Sequence, residues 1–189
     1  MRRITFDIET IGDIRVPDYA DLKVTVVALH DSETDQYHSF LVEDMPQLWP
    51  IIERADVLIG YNSDHFDIPI LNRYYAGDLT KIKSLDLLKE IRSVLGRRLK
   101  LDNIAEATLG KKKSGNGLEA MGWWEQGLVD QVKQYCIDDV RITKEVYDYA
   151  LANKSLKYRD FDGVRDIKLD TSSWEKVSDE GATLTHTLP

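Results

Sequence analysis

Apolar and polar residues alternate at the start of the chain, with Ile4, Phe6 and Ile8 on one parity and Thr5, Asp7 and Glu9 on the other. That is the period of a strand with one buried face. Residues 22–30 are β-branched and mostly apolar and predict a second strand, and residues 36–42 a third. The polar turn Asp31-Ser32-Glu33-Thr34-Asp35 between them predicts a hairpin. Residues 45–55 carry a short helical pattern, with Pro46 tolerable near its start and Pro50 a complication. Residues 56–61 read as a buried strand ending at Gly60, after which Asp64 is expected to cap a helix running to about Tyr75. Further helices are expected at about 84–95 and 101–109, the second stopped by Gly110, and residues 111–117 read as a loop. The longest helix is expected over about 128–151, where Val129, Val132, Cys136 and Val140 recur at steps of three and four. Beyond Lys154 the pattern weakens to a short strand at 155–159 and a polar run without periodicity. Strands first, then strand–helix alternation, predict an α/β or α+β sheet with helices packed on it.

Composition narrows this picture. The 189 residues suit one domain, or one domain with a tail, and 42% of them are apolar, enough for a core. No run approaches the length of a membrane span. Asp7 and Glu9 stand where a signal peptide needs its apolar region. Cys136, the single cysteine, excludes an internal disulfide framework and fits a reducing compartment, so a cytoplasmic location is expected. The net charge of −8 argues mildly against a nucleic-acid partner. The charge is segregated, however. Residues 81–113 hold ten basic side chains against four acidic ones, which leaves the rest of the chain at −14.

Four acids stand out by position. Asp7 and Glu9 are two apart on a strand and project from one face. A solvated strand face would explain the pair, but two carboxylates side by side on a central strand repel unless a cation lies between them. Asp67 falls where a strand gives way to a helix; it could simply serve helix N-terminal amides, yet such strand ends are also where ligands bind in open α/β sheets. Tyr135 and Asp139 are four apart on the long helix and share a face, while Asp138 can pair with Arg141. Carboxylates with few other donors select hard cations such as Mg²⁺ or Mn²⁺. Two such ions about 4 Å apart can bracket a phosphodiester, and a phenol nearby could position the attacking water. His30, His38, His65 and His186 form no cluster with Cys136, which argues against zinc, and no Walker-type phosphate loop is present.

The residues resemble the 3′–5′ exonucleases of the DEDD superfamily, tyrosine subtype, in particular the proofreading domains of B-family DNA polymerases and their stand-alone relatives. Phe-Asp-Ile-Glu-Thr at 6–10 is similar to the first motif of that family, residues 60–71 (Gly-Tyr-Asn-Ser-Asp-His-Phe-Asp-Ile-Pro-Ile-Leu) to the second, and Tyr-Cys-Ile-Asp-Asp at 135–139 to the third. The motifs come in the family's order, and the likeness spans about residues 3–152. It implies an RNase H-like α/β fold, a mixed five-stranded sheet flanked by helices, with the first three strands as an antiparallel meander. It implies two divalent ions, Mg²⁺ or Mn²⁺, bound by Asp7, Glu9, Asp67 and Asp139, with Tyr135 orienting the nucleophilic water. Thr10, Asn62 and Phe66 match positions that contact a single-stranded 3′ end.

On this resemblance residues 1–154 form the exonuclease domain, and residues 155–189 an extension of unknown role. Single-stranded 3′ ends, DNA in preference to RNA, are the expected substrate. A chain that starts almost on the catalytic strand has no room for a polymerase domain. If complete, it reads as a free-standing exonuclease or a subunit acting in trans with a polymerase, helicase or repair protein; otherwise it is a fragment of a larger enzyme. The basic 81–113 region would touch backbone phosphates, and Trp123 and Trp124 are expected to fill a core or lid role rather than an open stacking platform. Two rivals stand beside this reading. A haloacid-dehalogenase phosphatase uses Asp-x-Asp-x-Thr, but here the second acid is Glu9 and Thr10 comes one position early. A binding module without catalysis would have no need of the four acids. Two bound divalent ions would offset four of the negative charges, although a molecule still acidic overall should hold nucleic acid weakly and with marked salt dependence.

Overall fold

The computed structural model describes residues 1–111 and 117–176. Five strands form one mixed sheet: β1 (Arg3–Ile11), β2 (Lys23–Asp31), β3 (Gln36–Leu41), β4 (Val57–Gly60) and β5 (Ser84–Asp86), in the order β3-β2-β1-β4-β5. The first three strands are an antiparallel meander, and β4 and β5 add in parallel on the other side of β1. The α/β reading and the expected hairpin at residues 31–35 both hold.

β1 and β2 change register once. Glu9 faces Val26 but Thr10 faces Val24, so Thr25 is an extra residue on β2, and its hydroxyl donates to the Glu9 carbonyl over 3.0 Å. The step switches parity: Leu22 and Val24 before it share one core face with Val27 and Leu29 after it. That is why residues 22–30 show no clean alternation in sequence. Ile4, Phe6 and Ile8 of β1 line the same face, covered by α1 (Met45–Ile52) and α2 (Asp67–Leu71).

The opposite face lies under the long helix α6 (Val129–Asn153). Val26 and Ala28, the partners of Glu9 and Asp7, pack there against Val132, Cys136 and Val140, the stripe anticipated from helical spacing. The face of β1 that carries the acids is therefore roofed by α6. Farther along, Ile142, Val146 and Ala150 of α6 join Val57 and Ile59 in a second core with α3 (Leu87–Leu95) and α4 (Leu101–Leu109).

The structure corrects several expectations. Asp64 does not cap the helix after β4. α2 begins at Asp67 and gives way to a 3₁₀ turn at Asn72–Tyr74, while the Asp64 carboxylate accepts from Ser84 Oγ at 2.6 Å and Lys89 Nζ at 2.9 Å. The helix expected at 84–95 divides. Ser84–Asp86 is the edge strand β5, and the Asp86 carboxylate then caps α3 by accepting from the amides of Leu88 and Lys89. Of the loop expected at 111–117, residues 112–116 lie outside the described residues, and Gly117 opens a further helix, α5 (Gly117–Glu125).

The strand expected at 155–159 is β6 (Ser155–Asp160), but it pairs with an unforeseen β7 (Gly163–Lys168). Polar contacts seat this hairpin. Thr108 exchanges bonds with the Lys157 main chain, and Asn103 with that of Arg159. Beyond it Trp174 stacks on Tyr147 with ring centroids 5.7 Å apart, and Lys83 Nζ donates to the carbonyls of Ser173, Trp174 and Lys176. A tryptophan buried this fully costs about 3–5 kcal/mol to truncate to alanine.

Candidate active site

Three elements bring the motif residues together. β1 supplies Asp7 and Glu9, the turn after β4 supplies Asp67, and α6 supplies Tyr135 and Asp139. The turn is tightly built. A Cβ on Gly60 would lie 2.4 Å from Ser63 Cβ and Oγ, so only glycine fits, and Asn62 adopts a left-handed φ of 70°. Asp86 holds this backbone from beneath by accepting from the amides of Asn62 at 2.7 Å and Asp64 at 3.2 Å. Asp67 then reaches β1, where its Oδ1 accepts from the Ile8 amide at 3.2 Å, between the two acids of that strand.

α6 closes the site from the other side. The Tyr135 hydroxyl is bonded to Asp139 one turn on. Cys136 Sγ donates to the Asp7 carbonyl at 3.5 Å and lies 3.7 Å from Asp7 Oδ2. Donor atoms of Asp7, Glu9 and Cys136 all fall within 4.8 Å of one another, and among the described residues they are the one such group of three. Asp138 instead pairs with Arg141 at 2.6 Å, as its spacing suggested.

These carboxylates are not on a solvated face. Glu9, Asp67 and Asp139 are 8%, 4% and 5% exposed. Burial, opposed by backbone amides and reinforced by the charges of Asp86 and Asp139, pushes the Asp67 carboxyl well above its ordinary range. Burial and then Asp139, Glu9 and Asp7 push the Tyr135 phenol up in the same way, so it stays protonated at neutral pH. The same influences raise the Cys136 thiol. Crowded carboxyl oxygens with one protonated thiol fit a hard divalent cation far better than a soft one. Such an ion would offset the burial, and with it the repulsion, that raise Asp67.

Two clefts meet at the acids. One, of about 440 Å³, is lined by Asp7 and Tyr135 together with Tyr61, Asn62, Arg98 and Lys100. The other, of about 910 Å³, lies along Glu9 and Thr10 and is walled by Ile14, Phe66, Leu118 and Met121. Asn62 thus falls in the polar cleft, and Thr10 and Phe66 fall in the apolar one. Trp123 packs edge-on against Tyr135 with centroids 5.9 Å apart, and both Trp123 and Trp124 are half-buried against the core under α6. They are supports of the site, not an open platform.

Sequence reasoning missed Tyr61, Asp86 and Arg98. The Tyr61 hydroxyl donates to the Leu99 carbonyl at 3.0 Å, and Arg98 Nη2 donates to Asn62 Oδ1. Together they fix the α3–α4 connection over the cleft. Asp86 was detectable as an Asp standing directly before an apolar periodic run, the signature of a helix start; the other two contacts join segments distant in sequence and leave no local signal.

None of the curated proteins matches the chain. Among solved structures, the family B DNA polymerase of the hyperthermophilic archaeon Pyrobaculum calidifontis is similar, with a TM-score of 0.63 and 22% identity over 80% of this chain and 24% of the polymerase. At that identity the likeness shows the fold. No helix among the described residues is long and apolar enough to cross a membrane. The model of the RNase H superfamily matches residues 4–151, every strand of the central sheet and nearly all of α6 included, so the chain belongs to the RNase H superfamily.

Proposed function

We propose that the chain is a metal-dependent 3′–5′ exonuclease of the tyrosine DEDD type, releasing 5′-mononucleotides from single-stranded 3′ ends, with DNA preferred over RNA. One observation carries this reading: Asp7, Glu9 and Tyr135 line two neighbouring clefts, and Asp67 and Asp139 lie buried behind them, Asp67 bonded to the Ile8 amide between the two acids of β1 and Asp139 to Tyr135. Membership of the RNase H superfamily and the fold shared with a DNA polymerase support it.

Asp7, Glu9, Asp67 and Asp139 would hold two divalent ions, Mg²⁺ or Mn²⁺, which when bound polarise the phosphoryl oxygen and lower the pKa of a coordinated water. The protein's own groups do the rest. Tyr135, kept protonated and held by Asp139, orients the water for in-line attack on phosphorus. The P–O3′ bond breaks, the upstream O3′ takes a proton, and the terminal nucleotide leaves with its 5′-phosphate. Phe66 and the apolar wall around it accommodate the terminal base, with Thr10 at the same cleft and Asn62 on the polar side. Residues 1–154 form the catalytic unit, followed by the extension of residues 155–189, and the enzyme works in the cytoplasm, recruited to 3′ ends by a polymerase, helicase or repair partner.

The test is a 5′-labelled single-stranded oligonucleotide incubated with Mg²⁺ or Mn²⁺, beside chelator and Asp7→Ala controls. A ladder shortening from the 3′ end is expected in the metal arms alone. Absence of metal-dependent digestion would sink the enzymatic reading, cutting of circular single strands would mean an endonuclease, and DNA and RNA arms run together decide the preference.

A further inference from the structure

The basic side chains between residues 81 and 113 divide into two groups. Lys81 pairs with Asp78, Lys89 with Asp64, Arg97 with Asp160 and Lys111 with Glu145, while Lys83 is committed to three carbonyls of the C-terminal segment. Arg92, Arg98 and Lys100 form no ion pair among the described residues. These three lie along two adjoining clefts. Arg92 and Arg98 line one of about 280 Å³ beside α3, and Arg98 and Lys100 line the one that reaches Asp7 and Tyr135. The first is also lined by Asp64, which is paired with Lys89, and Asp86, which is taken up by backbone amides, and the second has Asp102 on its wall. Asn62 and Arg98 form the wall common to both.

That wall is oriented. Arg98 donates to Asn62 Oδ1, so the N–H groups of the Asn62 side-chain amide are kept as donors on a residue that lines both clefts. The neighbouring Leu99 carbonyl is held by Tyr61, so Arg98 and Lys100 stand on a connection tied down at both sides. Donors and unneutralised cations in a row suit a run of phosphates, whereas the apolar cleft beyond Glu9 suits a base.

We propose that Arg92, Arg98 and Lys100 form a phosphate track for the nucleotides upstream of the scissile bond, with Asn62 as its locked hinge post. The strand enters beside α3, passes Arg92 and then Arg98, and delivers its 3′ end across Asp7 into the apolar cleft. The inference rests on the exonuclease reading and adds to it the direction of the strand and the residues that measure its length.

The experiment uses the full chain and a dinucleotide, a tetranucleotide and an octanucleotide as substrates, with Arg92→Gln, Arg98→Gln and the off-track control Lys81→Gln. For Arg92→Gln the penalty in kcat/KM should grow from less than about twofold on the dinucleotide to about tenfold on the octanucleotide, and each track substitution should flatten the salt dependence by about 0.7 in log–log slope. Arg98→Gln should already be impaired on the tetranucleotide, and Lys81→Gln should match wild type throughout. Penalties that are equal at every length would overturn the direction, and an equal loss in Lys81→Gln would overturn the track altogether. Binding of a labelled octathymidylate to the Asp7→Ala protein separates the two readings. If no substrate is cleaved yet Arg98→Gln weakens this binding, the exonuclease reading fails and the track stands; if cleavage is normal and binding is unchanged by Arg98→Gln, the track fails alone.

Discussion

Asp31 and Asp67 are buried to the same extent, at 2% and 4% exposure, at opposite ends of β1, and the fold treats them in opposite ways. Asp31 lies across from Ile4, where Arg2 Nε and Nη2 donate to its two carboxylate oxygens at 3.1 and 2.7 Å. Burial pushes this carboxyl up, but the bonds from Arg2 and the Glu33 amide outweigh it and hold it below the ordinary range. Asp67 lies against Ile8, where amides act on it together with the carboxylates of Asp86 and Asp139, and it ends above that range. Among the described residues no cationic side chain pairs with Asp67. One buried acid has its counter-ion built into the chain; the other, on the proposed function, receives one from outside. Only the first of these arrangements is designed for stability.

The sharpest way to break that contrast is to neutralise each acid without changing its shape. Asp67→Asn should lower kcat by about 10³-fold or more while leaving the metal-free melting temperature equal or higher, because an amide in a crowded acidic site carries no charge to desolvate. A destabilised but active Asp67→Asn protein would reverse the assignment. Asp31→Asn should do the opposite, costing about 3 kcal/mol of stability with kcat/KM intact below the melting transition, as read by urea unfolding and the oligonucleotide assay. Its pH dependence has a definite sign. Because Asp31 titrates below its unfolded value, its contribution is present above the ordinary carboxylate pKa and is lost as pH falls through the folded value. The gap between wild type and Asp31→Asn should therefore close on acidification. The smallest effect concerns the missing counter-ion. Mn²⁺ at about a hundred times its dissociation constant should stabilise the wild type by about 2.7 kcal/mol, and Asp67→Asn by less, measured as a shift in melting temperature. A wild-type melting temperature indifferent to Mn²⁺ would remove the outside partner from the comparison.

The sequence and the structure agree where chemistry is written locally. Asp7 and Glu9 declare themselves by strand parity, Tyr135 and Asp139 by helical spacing, and the sheet follows from the strands that carry or flank them. What was illegible depends on contacts between distant segments. β5 is only three residues long, and although Asp86 marks where α3 starts, nothing in Ser84-Leu85 declares a strand until β4 lies beside it. The hairpin of β6 and β7 has a weak pattern because α4 side chains grip its main chain. Net charge is a blunt guide for a related reason, since it counts Lys89 and Arg97 equally with Arg98, although the first two are paired with acids brought near only by folding.

Thr25 gives β2 one residue more than its partner needs, and this sets a grammar for length changes in the strand. Reading a strand in twos makes it sensitive to deletion much as a codon is read in threes. Without Thr25 the strand would pair with β1 without interruption, Val24 still opposite Thr10 and Val26 opposite Glu9, whereas a deletion elsewhere in the strand would turn the residues on one side of it to the wrong face. Single-residue deletions at the bulge, or in the loop before β2, should thus be better tolerated than one elsewhere in the strand. Chains related to this one by descent should vary in length at Thr25 or before the strand, and not elsewhere within it.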